Sequence, residues 1–400
     1  MTTTAAAVMT ADLTFARSAL LNTLSLLSFV APKRTTLPVM QCAIFDVGEF
    51  GIRVQATDMD RWLSVPLMGD SNGAPGLYAV PVKRLHDIVA SLPPEAAVRL
   101  RITGTSAVLT AGKARFEMRG MLAEEFPDAP VRNPRQLGTT PQRAFADALR
   151  RLSSVASTEE SRPALAGVCV DARGGNVAAL ATDGGAMGYV PLPGVTLPDG
   201  TSYHIPRAAG PLFARVAATL GAEDGDDALV SLEAVDGHLR VTVPVGHGDA
   251  VLTVRLLNED FPAVAVRGFL NTLRPRAATV DRLALLGAIN RTGLLCGDHQ
   301  WQRVKLRWST AAVMVETENA EAGRARDEVP CAYDDGGMSA AAEGAFEIWL
   351  NRDHITQCLA LFTAEQVVLR MATAAVPVLV HAAGDPDGER AVCATMHNPK

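Results

Sequence analysis

The sequence predicts an α+β fold in which one unit, two helices packed on antiparallel sheets, occurs three times along the chain. The first observation behind this prediction is the length of 400 residues. Because a single hydrophobic core rarely organises more than about 250–300 residues, we expect two to four domains. The second is a set of short motifs that recurs in the same order at nearly constant spacing. The third is the order of the patterns, helix, strands, helix, strands, which is typical of an α+β protein.

Three pairs of motifs mark the first two repeats. In each repeat an extended run ends in Ala-Thr-Asp, a proline then opens a basic helix, and an acidic-Phe-Pro step closes the unit. The pairs are Asp58 and Asp183, Pro81 and Pro206, and Phe126 and Phe261. The first two pairs are 125 residues apart and the third is 135 residues apart, and the acidic stretch Glu223–Asp227 accounts for the difference as a loop. The predicted domains are residues 1–135, with the first nine residues frayed, 136–268 and 269–400, joined by turn-rich linkers at 130–141 and 267–275.

Apolar residues at helical spacing predict the helices, and alternating or continuous apolar runs predict the strands. The helical stripes are Ala16, Leu20, Leu24 and Leu27; Val82, Leu85, Val89 and Leu92; Phe145, Leu149 and Leu152; Phe213, Val216 and Leu220; and Val280, Leu283, Leu286 and Ile289. A further helix is predicted over Arg352–Phe362, and strands over His238–Val243, Ala250–Arg255, Val304–Trp308, Val313–Thr317, Val367–Arg370 and Val378–His381.

The composition is that of a globular protein, since 48% hydrophobic and 20% charged residues exclude a disordered chain. The longest apolar run, Leu20–Val30, is interrupted by Asn22 and is too short to span a membrane. The N-terminus has no basic region and is not a secretory signal, and the true start is Met1 or Met9. Six cysteines without any C-x-x-C pair indicate buried thiols in a reducing cytoplasm rather than a zinc ribbon or a disulfide framework.

The motifs do not indicate an enzyme. Gly69–Gly73 matches the G-x-S-x-G nucleophile pattern around Ser71, but Ala-Pro-Gly follows it, so we expect a loop and nearly exclude a hydrolase. His86 and His354 are expected to lie solvated on helices, and Asp58 and Asp183 to cap turns. We therefore predict no catalytic residues, no metal site and no cofactor.

Basic residues recur on equivalent helices of all three repeats, although the formal net charge is −6. Each of these residues alone could belong to an ordinary solvent-exposed helix face. Their recurrence in all three repeats favours one shared positive surface that binds phosphates. The members on helices are Arg17, Lys83 and Arg84; Arg143, Arg150, Arg151, Arg207 and Arg215; and Arg282, Arg291 and Arg352.

In its repeats and motifs, nearly the whole chain resembles the bacterial replicative sliding clamps, the beta subunits of DNA polymerase III. It looks like a diverged member of that family. The residues that carry the resemblance are Thr36–Met40, the Ala181–Gly184 step, Ile205–Arg207 and the two Phe-Pro closures. The resemblance implies three clamp domains per chain and two chains joined head to tail in a ring, with helices lining a hole for duplex DNA. It adds Lys33 and Arg34 to the DNA-facing cations, whose phosphate contacts carry no sequence preference.

The resemblance also implies a hydrophobic pocket between the second and third repeats, which takes short apolar peptides from polymerases, the clamp loader and repair enzymes. Its matching positions here are Leu165, Thr182, Gly184, Met187, Pro262, Val392 and Met396. Where the family tends to have His-Arg after Asp-Gly, this chain has Gly185-Ala186, and Ala394 replaces a methionine in the tail, which ends His397–Lys400. The tyrosines that the family places beside the second repeat's loop are missing from Arg162–Leu165. We expect altered peptide binding.

For the ring contact, the resemblance points to the edge strand Lys113–Met118, with Arg115 in it, pairing near Leu295 and Glu321 of another copy. The leading hypothesis is a non-catalytic cytoplasmic, nucleoid-associated DNA clamp without membrane contact. The alternative is a clamp-fold regulatory or decoy scaffold with an altered pocket that does not encircle DNA.

Overall fold

A computed structural model describes residues 10–220, 228–296, 302–337 and 346–396. The predictions for the start of the chain up to Met9, for Glu223–Asp227 and for the tail His397–Lys400 lie outside the described residues. Within them, no helix is long and apolar enough to cross a membrane. The fold combines short helices with large antiparallel sheets, which confirms the predicted α+β class.

The helices carry their apolar residues on one face. In chain order they are α1 (Arg17–Leu27), α2 (Val82–Ser91), α3 (Gln142–Ser153), α4 (Ala209–Leu220), α5 (Ala263–Leu270), α6 (Arg282–Thr292) and α7 (Arg352–Ala360).

The strands lie between these helices. The first ten are β1 (Thr10–Ala16), β2 (Cys42–Gly48), β3 (Gly51–Thr57), β4 (Arg61–Leu67), β5 (Asp70–Gly73), β6 (Gly76–Pro81), β7 (Ala97–Thr103), β8 (Ser106–Ala111), β9 (Ala114–Arg119) and β10 (Arg135–Pro141). The next eight are β11 (Gly167–Arg173), β12 (Asn176–Thr182), β13 (Ala186–Pro191), β14 (Ser202–Pro206), β15 (Leu229–Val235), β16 (His238–Val245), β17 (Gly248–Arg255) and β18 (Arg276–Asp281). The last are β19 (Arg303–Trp308), β20 (Ala312–Asn319), β21 (Gly323–Asp334), β22 (Glu347–Asn351), β23 (Gln366–Met371), β24 (Val378–Ala382), β25 (Asp385–Cys393) and β26 (Thr395–Met396).

The chain divides into two compact units, of which the first comprises Met1–Ala146, Gly194–Thr196 and Leu212–Leu256. It contains a five-stranded sheet of order β5-β1-β7-β8-β9 and an eight-stranded sheet of order β10-β15-β16-β17-β4-β3-β2-β6. In the larger sheet β17 pairs antiparallel with β4, with Leu252 opposite Leu63. Main-chain hydrogen bonds therefore join strands from distant parts of the sequence.

The second unit comprises Asp147–Pro193, Leu197–Pro211 and Leu257–Lys400. Its single thirteen-stranded sheet has the order β14-β11-β12-β13-β25-β24-β23-β18-β21-β20-β19-β22-β26. Here β13 pairs with β25, and Met187 lies opposite Val392. This pairing places the residues after Asp183 beside the end of the chain.

The predicted stripes are buried in most helices. Leu20, Leu24 and Leu27 of α1 and Leu85 and Val89 of α2 are fully buried. Such burial stabilises each helix by about 1.5–3 kcal/mol per large side chain.

Four local predictions are wrong. In α6 the buried face is Leu285, Ala288, Ile289 and Thr292, whereas Leu283 is 61% exposed, so the predicted stripe has the wrong register. The segment around Ser71 is the exposed edge strand β5, paired with β1, rather than a loop. The predicted linkers contain β10 and the second half of α5, because turn-forming residues also occur within and beside regular elements.

Candidate functional site

Three of the predicted DNA-facing cations gather at one groove in the first unit. Lys33, from the segment after α1, lines a cavity of about 880 Å³ together with Lys83 and Arg84 from the first turn of α2. His86 and Arg119, the last residue of β9, also line it. The lining also holds the Asp87 carboxylate, which pairs with Lys83 at 2.7 Å, and alanine, proline, valine and methionine side chains lie between the charges. Sequence reasoning missed Arg119, since nothing in a strand's sequence indicates which helix it approaches.

The remaining cations of the first unit differ in availability. Arg34, Arg143 and Arg215 are exposed, and the guanidinium of Arg215 lies 4.8 Å from the ring centroid of Phe29. Arg17 is half-buried and donates to the carbonyl oxygens of Val89, at 3.1 Å, and Ala90, at 2.8 Å. Those carbonyls end α2, so Arg17 satisfies acceptors that a helix C-terminus leaves unpaired.

In the second unit, the prediction that Arg151 lies on an exposed basic face is wrong. Arg151 is 8% exposed, and its guanidinium pairs with the Glu389 carboxylate at 2.5 Å while also donating to the carbonyl of Leu361. Its neighbour Arg150 is exposed and pairs with Asp147 at 2.5 Å. Arg207 lies half-buried two residues before α4. Only Arg150 and Arg207 of these three remain available to a phosphate.

The last repeat presents one well-exposed cation of the three that the sequence predicts. Arg291 is 64% exposed and pairs with Asp327 at 2.7 Å. Arg282 donates to the carbonyl of Ala364 at 2.8 Å, and Arg352 is half-buried and donates to the Gln302 side chain at 3.3 Å. Both of these arginines therefore also hold their helices in place.

Asp58 and Asp183 cap equivalent turns, as the sequence predicts. Oδ1 of Asp183 accepts from the backbone N–H of Gly185 at 2.8 Å and of Ala186 at 2.7 Å. Oδ1 of Asp58 accepts from the residues two and three positions later in the same way, at 3.2 and 2.8 Å. The two carboxylates stabilise their turns. Positions 125 residues apart therefore share even the same two hydrogen bonds.

Three of the predicted pocket positions, Leu165, Met187 and Val392, meet in one apolar cluster of the second unit. Leu165 packs against a core that contains Met187, Val392 and Phe261. Pro262 is exposed at the start of α5, and the other predicted positions follow the strands: Thr182 ends β12, Gly184 lies in the turn after it, and Met396 lies on β26. On and just after α5, whose Ala263, Val266 and Leu270 pack into the cluster, Val264 is 67%, Phe269 45% and Leu273 83% exposed.

The space over Gly185 is occupied by a histidine from another element. A Cβ on Gly185 would lie 1.9 Å from Cε1 of His354, so the imidazole of α7 lies directly against the turn. His354 Nε2 is 3.5 Å from Oδ2 of Asp183. Arg162 donates to the main-chain oxygen of Asp183 at 3.1 Å. An imidazole and a guanidinium therefore border the apolar cluster although neither follows Asp-Gly in the sequence.

The predicted ring-contact residues of the first unit lie on or beside the edge strand β9, and those of the second unit lie in the turn before β21 and in the short 3-10 helix Gly293–Leu295 after α6. β9 is the edge of its sheet and pairs only with β8 in the described part of the chain, and Lys113 and Arg115 on or beside it are exposed. Met118 faces inward at 8% exposure. In the second unit, Glu321 is exposed in the turn before β21 and Leu295 is half-buried, but its neighbour Leu294 is 79% exposed. Leu294 and not Leu295 or Met118 offers free apolar surface.

The cysteines are mostly buried. Five of the six cysteines are buried and Cys331 is half-buried, and all are free thiols. Burial raises the pKa of the Cys169 thiol to about 12 and that of Cys42 to about 11, which disfavours the reactive thiolate. Among the described residues, no group of three or more histidine, cysteine or acidic side chains is arranged to hold a metal.

Repeated helix-and-sheet units and grouped cations are the features that the sequence analysis expects of a DNA clamp. Residues 11–130 match the family model described as DNA polymerase III beta subunit, N-terminal domain. The beta sliding clamp of Pseudomonas aeruginosa is 26% identical over 379 residues, which cover 94% of this chain and 96% of the relative. That of Synechococcus elongatus is 27% identical over 72% of this chain and 74% of its own length.

Solved structures give the same result. The crystal structure of the DNA polymerase III subunit beta from Pseudomonas aeruginosa bound to griselimycin is 25% identical, covers 98% of this chain and 100% of that chain, and superposes with a TM-score of 0.82. The beta subunit from Thermotoga maritima, at 15% identity and a TM-score of 0.81, shares the fold. The family model and the relatives together support a diverged bacterial sliding clamp, similar to the beta subunits of DNA polymerase III along nearly the whole chain. These comparisons support the clamp hypothesis and not the scaffold alternative.

Proposed function

We propose that this protein is a non-catalytic processivity factor in which two copies join head to tail, encircle duplex DNA and tether a polymerase and other replication or repair proteins. The observation that carries the proposal is the likeness to solved clamps along 98% of the chain. A clamp on the chromosome works in the cytoplasm, at the nucleoid.

The proposed DNA contacts are the exposed or half-exposed cations of the helical surface. Lys33, Lys83 and Arg84 line one groove. Arg34, which follows Lys33 in the sequence, is exposed. Arg143, Arg150, Arg207, Arg215 and Arg291 complete the set, while Arg17, Arg282 and Arg352 contribute charge from positions fixed by their own hydrogen bonds. Phosphate contacts from such side chains carry no base preference, which suits a protein that must move along any sequence.

The proposed subunit contact uses two open strand edges. Among the described residues, β9 has one open edge, and β21 pairs with β20 along residues 323–330 but with β18 only along residues 331–334. Unpaired strand edges can pair with the edge of another copy. A head-to-tail contact gives a ring when the rotation that relates one copy to the next returns to the first copy. Leu294 would supply an apolar contact beside this edge.

The proposed peptide pocket lies on the apolar cluster around Leu165, Met187 and Val392. An apolar peptide gains affinity by burying its side chains there, next to Pro262 and the exposed apolar face of α5. Polymerase, loader and repair peptides are the proposed ligands.

The test of the ring is retention on circular DNA. Protein loaded on nicked plasmid by a bacterial clamp loader should remain on the circle through gel filtration and be lost when a restriction enzyme linearises it. Equal retention on circular and linear DNA would contradict encirclement.

Charge-reversal variants test whether the cations of the groove are responsible for this retention. Lys33→Glu with Arg84→Glu should shorten retention and flatten its dependence on salt, because fewer phosphates are neutralised. Arg132→Glu, an exposed cation in the segment between β9 and β10, is the matched control and should retain normally.

A further inference from the structure

The groove at the start of α2 is much larger than a contact to one phosphate requires. Its cavity of about 880 Å³ has apolar walls from Ala31, Pro32, Pro81, Val82 and Met121. Cavities of about 300–1,000 Å³ with mainly apolar walls and a few polar groups are typical binding sites for small molecules. A single phosphate of a DNA backbone would fill only a small part of this volume. The groove therefore has room for an anion that also carries an apolar group.

Three cations of the groove have free side chains. Lys33, Arg84 and Arg119 line it and are exposed, and in the described part of the chain none of these three side chains forms a hydrogen bond or an ion pair. By contrast, the exposed Arg99 of the same unit binds the Asp12 carboxylate at 2.6 Å. Uncompensated positive charges around one cavity raise the local concentration of anions and favour a ligand with several negative charges.

The carboxylate in the lining does not cancel this charge. Asp87 is the only acidic residue among the described lining residues, and its Oδ2 accepts from Nζ of Lys83 at 2.7 Å. This hydrogen bond lowers the pKa of Asp87, so the carboxylate is ionised and offsets Lys83. Nε2 of the neighbouring His86 lies 3.2 Å from Oγ of Ser25. The free charges of Lys33, Arg84 and Arg119 remain for a ligand.

A phosphate chain suits these three cations better than the carboxylates of a peptide. Successive phosphates place their negative charges close together in one short chain, whereas peptide carboxylates lie on separate side chains. Arginine binds phosphate oxygens through paired N–H donors and lysine binds them as a point charge, so both residue types are suited to phosphates. The apolar walls can bury the flat faces of a nucleobase that is joined to such a chain.

We infer that this groove, formed by the segment after α1, the first turn of α2 and the end of β9, is a binding site for a nucleoside triphosphate. Lys33, Arg84 and Arg119 hold the phosphate chain, and the base packs against the proline and methionine side chains. The site goes beyond the proposed clamp function, which needs these cations only for passing contacts to a duplex. Because Lys33 and Arg84 are also proposed DNA contacts, nucleotide and duplex exclude each other there.

The test is isothermal titration calorimetry of the full-length protein, without DNA and in EDTA, with ATP, inorganic tripolyphosphate and adenosine. The wild type should bind ATP at one site per chain and about tenfold more tightly than tripolyphosphate, which corresponds to burial of about 60 Å² of the base. Adenosine should bind more weakly than either. Arg119→Gln should weaken ATP binding about fivefold, as expected for an exposed charge pair. Asp87→Asn should strengthen it, which loss of folding cannot produce.

Arg255→Gln is the matched control, since Arg255 is a 58% exposed cation of the same unit that pairs with Asp60 outside the groove. It should bind ATP as the wild type does. Absence of ATP binding, or equal affinities for ATP and tripolyphosphate, would overturn the inference. So would unchanged ATP binding by Arg119→Gln, or tighter binding of single-stranded oligothymidylate than of ATP at the same residues. None of these outcomes alters retention on circular DNA, which tests the clamp separately.

Discussion

Arg151 on α3 and Glu389 on β25 form a two-pronged ion pair, with Nη1 to Oε2 at 2.9 Å and Nη2 to Oε1 at 2.5 Å. Arg151 is 8% exposed and Glu389 28%, so most water is excluded from the pair. This ion pair links α3 to β25. Removing one of the two side chains leaves the other charge without a partner and poorly solvated.

Replacing Arg151 should therefore lower stability rather than DNA retention. We expect Arg151→Met to lower the free energy of unfolding by about 3 kcal/mol, because it leaves the Glu389 carboxylate without its partner. Urea unfolding followed by circular dichroism measures this loss. Arg150→Met, on an exposed residue of the same helix, should change stability by less than about 1 kcal/mol. Equal losses in the two variants would disprove the assignment.

The contact between Gly185 and His354 predicts a rescue. Gly185→Ala should lower the free energy of unfolding by about 1 kcal/mol, because the added methyl group forces the imidazole away from Asp183. His354→Ala should remove most of that penalty when combined with Gly185→Ala. A thermal-shift double-mutant cycle tests it, and strictly additive effects would show that the two positions are independent.

Leu294 should control the number of chains in the assembly. Leu294→Asp places a charge on a side chain that is 79% exposed, so the single chain should fold normally while the proposed contact weakens. Light scattering should then give the mass of one chain, against two for the wild type. Leu283→Asp, at an exposed leucine near the start of α6, should keep the wild-type mass. A Leu294→Asp protein that stays dimeric would remove this residue from the interface.

Asp12 should make part of the first unit's stability sensitive to acid. Hydrogen bonds from Arg99 and Arg101 lower the pKa of Asp12 from its ordinary 3.8 to about 2, against the opposing effect of burial. Because the folded-state pKa is lowered, this stabilisation is fully present above about pH 4 and is lost as the pH falls toward 2.

The matching variant is Asp12→Asn. It should be less stable than the wild type by about 1 kcal/mol at pH 7, a modest value because Arg99 and Arg101 are more than half exposed. Urea unfolding across pH should show this gap closing between about pH 4 and 2. Asp128→Asn, at an exposed carboxylate in the loop before β10, should track the wild type. A gap that does not change with pH would contradict the proposed charge interaction.

Apolar periodicity predicted most helices because it reports burial directly. Leu20, Leu24 and Leu27 satisfy the pattern and are buried. The same method failed in α6, where Leu283 is apolar and exposed while Ala288 and Thr292 are buried. When small residues form the buried face of a helix, the pattern of residue types does not show which face is buried.

The site was less predictable because its chemistry depends on pairs distant in sequence. Residue type indicated that Arg151 was a candidate phosphate ligand, but its partner Glu389 lies 238 residues away. The sequence likewise shows Gly185 after Asp-Gly, and cannot show that His354 packs over it. Repeats gave the equivalent positions, including the two aspartate-capped turns, because they recur within one chain.

The pairings of β17 with β4 and of β13 with β25 consist of main-chain hydrogen bonds, which every residue except proline can make. Mutation can thus replace most side chains along these ladders without breaking them. This gives a physical reason why an architecture can outlast the sequence that first encoded it, and why a lineage can change its partners while keeping its shape.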